Sequence, residues 1–126
     1  MGHTIATIAK IKLYNPYDLS KCLDLELLVD TGSMYTWIKR GRLERLGIRP
    51  TGRRRFRTIE NRIIEREIGE AVIECLGERA TTIVVFAEDA EDKDAEVLGV
   101  YSLEGLRLEI DPVTKQLRKI EALLAL

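Results

Sequence analysis

Residues 27–38 read LLVDTGSMYTWI. Apolar residues run up to Asp30, a short polar turn Asp30-Thr31-Gly32-Ser33 follows, and large residues return at Met34, Tyr35, Trp37 and Ile38. A strand that delivers a carboxylate into a glycine-containing turn is an unusual use of a core segment, because burying a carboxylate is costly unless it is hydrogen-bonded or partnered. Thr31 and Ser33 offer hydroxyls, and Gly32 opens backbone conformations closed to other residues. The same tripeptide also serves as an ordinary turn or as a helix N-cap after a strand.

Upstream of the turn, Leu23, Leu25, Leu27 and Val29 alternate with Asp24 and Glu26, the pattern of a strand with one face buried. Residues 4–14 read as a preceding strand, with a bulge expected where Ile5 and Ile8 stand three apart. Asn15-Pro16-Tyr17-Asp18 turns the chain, so the two strands form a hairpin that ends at Asp30. Downstream, Trp37-Ile38 is expected to continue the strand, and Leu43, Leu46 and Gly47 mark a short helix with its stop.

Residues 53–60 and 62–76 read as two strands about a turn near Glu60-Asn61, with Ala71, Ile73 and Cys75 on one face and Glu70, Val72 and Glu74 on the other. Residues 80–87, rich in β-branched side chains, form a further strand. The acidic stretch 88–96 reads as a solvated surface loop. Val97-Leu98-Gly99-Val100 precedes a helical turn at Leu103 and Leu106, and the rest reads as strand, turn at Asp111-Pro112, strand. Many short strands, frequent turns and one or two short helices give an all-β chain, a small barrel or sandwich.

The chain has 126 residues, the size of one domain with a real core. Its 20 basic and 21 acidic residues give a formal net charge of −1, which steers it toward neither nucleic acid nor an anionic membrane. The basic run RRRFR at 53–57 reads as a solvated strand edge in preference to a nucleic-acid patch. No apolar run is long enough to span a bilayer and no leader is evident, so a cytoplasmic location is expected, with Cys22 and Cys75 as two buried thiols in preference to a single disulfide.

The hydrophobic-hydrophobic-Asp-Thr-Gly-Ser turn at 28–33, the hairpin at Glu60-Asn61-Arg62, the β-rich run 82–86 and the later Leu98-Gly99 fall in one order. That order resembles the retropepsin-like family, the single-domain aspartic proteases that include the retroviral enzymes, over roughly residues 5–110. The resemblance implies a small closed acid-protease-type barrel across one domain, 1–126, acting as an aspartic endopeptidase on a peptide or protein. The chain carries a single Asp-Thr-Gly and is about half the length of the two-lobed pepsin-type enzymes, whereas the chemistry uses two carboxylates sharing a proton. The second Asp30 is therefore expected from another copy, in a homodimer that needs no metal or cofactor.

By the same resemblance Thr31 locks the two turns together, Gly32 lets the backbone approach the carboxylates, and Ser33 is expected to hydrogen-bond its own Asp30. Leu98-Gly99 is the family's second landmark. The flap would be residues 56–66, with Ile59, Glu60, Asn61, Arg62 and Ile63 at its tip. Here the chain departs from that family, whose members commonly carry glycine at the tip. A peptide-binding or dimerisation module of the same fold, catalytically weak or inactive, is the alternative function.

Overall fold

A computed structural model of the chain describes residues 6–92 and 95–121. Strand β1 (Ile8–Asn15) and strand β2 (Asp18–Val29) form the expected hairpin, pairing Ile11 with Leu25 and Leu13 with Leu23. Ala9, Ile11 and Leu13 are buried together with Leu25, Leu27 and Val29, so the alternation in the sequence is the inside–outside alternation of the sheet. The irregularity expected near Ile5 and Ile8 lies partly outside the described residues. Within them the register shifts between Tyr14 and Asn15, at the turn.

Trp37 and Ile38 do not continue β2. The chain turns at 30–35 and begins a separate strand, β3 (Thr36–Lys39), followed directly by helix α1 (Arg40–Arg45). Leu43 and Leu46 bury the helix's apolar side, and Gly47, at φ 75°, ends it in a left-handed conformation that glycine adopts without strain. The buried Asn15 amide donates to the Leu46 carbonyl at 2.9 Å, tying the first hairpin to the end of the helix.

Strands β4 (Gly52–Arg57) and β5 (Ile63–Cys75) form a second hairpin, shorter at its tip than the sequence indicates. Thr58 to Arg62 make a closed turn, in which Thr58 N–H donates to the Arg62 carbonyl and Asn61 takes φ 66°. Ala71, Ile73 and Cys75 are buried as expected, while Cys22 is exposed. The expectation of two buried thiols therefore fails at Cys22, which sits at the polar end of β2 before its apolar alternation starts.

Strand β6 (Glu78–Ala87) is buried continuously from Val84 to Ala87 because it is flanked by β5 and, in parallel, by β3. Strand β7 (Val97–Leu98) runs parallel to β2 and antiparallel to β3. Helix α2 (Val100–Leu106) and a two-stranded hairpin, β8 (Leu108–Ile110) with β9 (Leu117–Lys119), complete the described chain. The pairings run β1-β2-β7-β3-β6-β5 and return from β5 to β1, a ring of hydrogen-bonded strands with β4 appended outside it. Leu13, Leu27, Ile38, Ile73, Phe86, Leu98 and Leu106 fill the interior of this all-β structure, each worth about 1.5–3 kcal/mol of burial. No helix among the described residues is long and apolar enough to cross a membrane.

The acidic stretch is not the freely solvated loop its composition indicates. The Asp92 side chain is only 9% exposed and receives the Arg66 guanidinium at 2.6 Å. Arg40 reaches both Glu67 and Glu88, and Arg42 lies 3.0 Å from Glu96. Three arginines distant in sequence hold the loop to α1 and β5.

Candidate active site

Asp30 stands where β2 leaves the sheet, partly exposed, with Thr31 and Gly32 fully at the surface. Its backbone N–H donates to the Leu98 carbonyl at 3.0 Å, and the parallel pairing of Val29 with Leu98 fixes the approach. The turn leads into β3, so Asp30 is not a helix N-cap. Gly32 N–H donates to Asp30 Oδ1 at 2.9 Å, and Ser33 N–H donates to the Asp30 carbonyl. The carboxylate is thus oriented by the backbone of its own turn.

Two expectations for this turn are corrected. Gly32 is not at positive φ. A Cβ there would instead lie 3.2 Å from Asp30 Oδ1, so the residue is small because the carboxylate folds back over it. The Ser33 hydroxyl donates to the Tyr35 carbonyl at 2.8 Å and not to Asp30, leaving Gly32 N–H as the group that holds the acid.

Leu98-Gly99 comes against the turn from behind. A Cβ on Gly99 would lie 2.4 Å from the Tyr35 carbonyl oxygen, so only glycine fits between β7 and the turn. The first N–H groups of α2 then donate into the turn, Val100 to the Ser33 carbonyl and Tyr101 to the Met34 carbonyl, each at 2.9 Å. Beneath lies a buried hydroxyl chain. Gly99 N–H donates to Thr36 Oγ1 at 3.0 Å, and Ser102 Oγ lies 2.6 Å from both Thr36 Oγ1 and Thr82 Oγ1. This chain links β3, β6 and α2 below Asp30. Sequence reasoning missed it, although Thr36 and Ser102 stand out as small polar residues among apolar neighbours.

Beside the turn is a groove of about 320 Å³, walled by Ser33, Met34, Tyr35 and Trp37 on one side and by Arg54–Arg57 of β4 on the other. Phe56 joins the walls, its ring centroid 5.0 Å from Trp37 and 6.0 Å from Tyr35, both edge-on. Arg54 lies over the Tyr35 ring, 5.4 Å from its centroid, and hydrogen-bonds the Tyr35 hydroxyl. The tip residues Ile59, Glu60, Asn61, Arg62 and Ile63 fall outside this lining. Wider clefts at Lys10, Cys75 and Leu76 do not include the turn. Burial pushes the Cys75 thiol up, away from the thiolate form a nucleophile needs.

No protein-family model matches the chain, and no curated protein matches it in sequence.

Proposed function

We propose that the chain is one half of a retropepsin-like aspartic peptidase, its catalytic pair assembled from the Asp30 residues of two copies. The observation that carries the reading is the mounting of Asp30. A carboxylate on a surface turn is held by Gly32 N–H, backed by Leu98 and Gly99, and set beside an aromatic groove. A simple turn has no need of that support. The ring of strands is consistent with the closed acid-protease barrel the reading requires.

In this mechanism one Asp30 is ionised and removes a proton from a water whose oxygen adds to the scissile carbonyl carbon. The other Asp30, protonated, gives its proton to the carbonyl oxygen. The gem-diol then collapses: a hydroxyl proton returns to the ionised carboxylate, the amine leaves with the proton of its partner, and the pair is restored. Thr31, exposed beside Asp30, is the residue available to bridge the two turns. The β4–β5 hairpin acts as the flap.

A second reading keeps the groove and drops the hydrolysis. Among the described residues β4 pairs with β5 alone, so its other edge offers backbone groups to an extended segment. Asp30→Asn separates the two readings. For a peptidase it abolishes cleavage of a peptide library with the fold intact, because an amide cannot act as base. Cleavage that survives the substitution would place the chemistry elsewhere, and a folded wild-type dimer that cleaves nothing would favour the binding module.

A further inference from the structure

Seven of the 13 arginines of this chain are neutralised in place. Arg40, Arg42, Arg53, Arg66, Arg79, Arg107 and Arg118 each lie within ion-pair distance of a carboxylate. The groove beside Asp30 is different. Arg54, Arg55 and Arg57 line it, no Asp or Glu does, and none of the three pairs with a carboxylate among the described residues. Arg54 is engaged by the neutral Tyr35 hydroxyl and Arg57 by the neutral Asn61 Oδ1 at 2.7 Å. Glu65, across the strand pair from Arg55, is taken by Arg53 at 2.6 Å. Three exposed arginines thus stand along one strand of a chain whose formal charge is −1, Arg54 on the face of Phe56 and, by strand alternation, Arg55 and Arg57 on the other.

We infer that the groove selects extended peptide segments carrying acidic side chains next to an apolar one. The arginines supply charge-assisted donors that match a carboxylate. Tyr35, Trp37, Phe56 and the exposed Met34 supply apolar surface for the neighbouring side chain. The edge of β4 that no described strand pairs supplies backbone donors and acceptors spaced for a strand.

Arginines interleaved with an aromatic also fit a nucleic acid, and two features favour the peptide. A β-strand edge pairs with a peptide backbone and not with a sugar-phosphate one. The basic surface is also short: Arg66, paired in register with Arg54, is already covered by Asp92 and Glu91, whose loop would repel a continuing phosphate chain. The inference rests on the peptidase reading only for where the cleaved bond lies; the charge preference belongs to binding and is measured without turnover.

The test uses the full chain carrying Asp30→Asn, with labelled peptides of one apolar core sequence in which Glu or Gln occupies the flanking positions. Anisotropy is expected to show the Glu peptides binding about three- to tenfold tighter at about 50 mM salt, with the difference nearly gone at about 500 mM. Adding Arg55→Gln with Arg57→Gln is expected to erase the preference, while Arg45→Gln, an exposed position of α1, leaves it in place. Equal binding of Glu and Gln peptides, or a preference that survives the double substitution, would overturn the inference. So would an oligonucleotide that displaces the Glu peptide at a lower concentration than unlabelled Glu peptide does. If the preference holds while wild-type protein cleaves none of these peptides, the peptidase reading fails and the acidic-peptide groove stands.

Discussion

The backbone of Gly99 passes the Tyr35 carbonyl so closely that a Cβ at 99 would sit 2.4 Å from its oxygen. That contact presses β7 and the start of α2 against the turn that carries Asp30. Gly99→Ala must push backbone apart, and the expected cost is about 2–4 kcal/mol of unfolding free energy. Gly105→Ala is the control. Its Cβ would meet only the Ala80 methyl, at 3.4 Å, and alanine is the better helix former, so stability should stay level or rise by up to about 1 kcal/mol. Denaturant titration of the two variants checks both.

Thr36→Val tests the buried hydroxyl chain. The isosteric methyl removes the acceptor for Gly99 N–H and one partner of Ser102 without opening space. Leaving a buried donor unmade costs about 1–3 kcal/mol. If the chain does set the turn, the Asp30-dependent cleavage we propose should fall as well. A variant as stable and active as wild type would show that the hydroxyls are incidental.

The local parts of the fold were legible in the sequence because they depend on neighbours. The alternation from Leu23 to Val29, the stop at Gly47 and the turn at Asp111 each follow from a few adjacent residues. The long-range parts were not. Arg66 and Asp92 stand 26 apart, and nothing in EDAEDKDAE shows that Glu88, Asp92 and Glu96 meet guanidinium groups. Thr36, Thr82 and Ser102 meet only because β3, β6 and α2 converge. Asp30 and Gly99 were visible as residues of a motif. What a Cβ at Gly32 would meet, and where the Ser33 hydroxyl goes, depend on how the turn folds back on itself.

The Arg66–Asp92 pair gives a pH prediction. Burial pulls the Asp92 carboxyl upward, but the Arg66 guanidinium and the Glu88 N–H outweigh it and hold the group below the ordinary carboxylate range. A depressed folded pKa contributes stability above the unfolded value, near 3.8, and that contribution is lost as pH falls through the folded pKa. Asp92→Asn should therefore cost about 1–3 kcal/mol at neutral pH, and the gap to wild type should close below about pH 4. A gap that is constant with pH would mean the carboxylate charge does not hold the loop.

At the hairpin tip, Asn61 holds φ 66° and its side chain accepts from Arg57. Asn61→Gly should leave stability within about 1 kcal/mol, while a β-branched Asn61→Ile should lose about 1–2 kcal/mol to the left-handed backbone. If the tip closes on bound peptide, Asn61→Gly also raises turnover on generic substrates by removing the side chain and its Arg57 tether. Unchanged rates would remove residues 58–62 from the mechanism.

The central claim is a catalytic pair shared between two chains, and mixing tests it most directly. Wild-type protein at fixed concentration is equilibrated with increasing Asp30→Asn protein, and peptide cleavage is measured. If each active unit needs an Asp30 from both copies, mixed dimers are dead, and activity falls to about half when the two are equimolar, then further as the variant is added in excess. Activity that stays at the wild-type level across the titration would mean that one chain works alone, and the shared-pair account would be wrong.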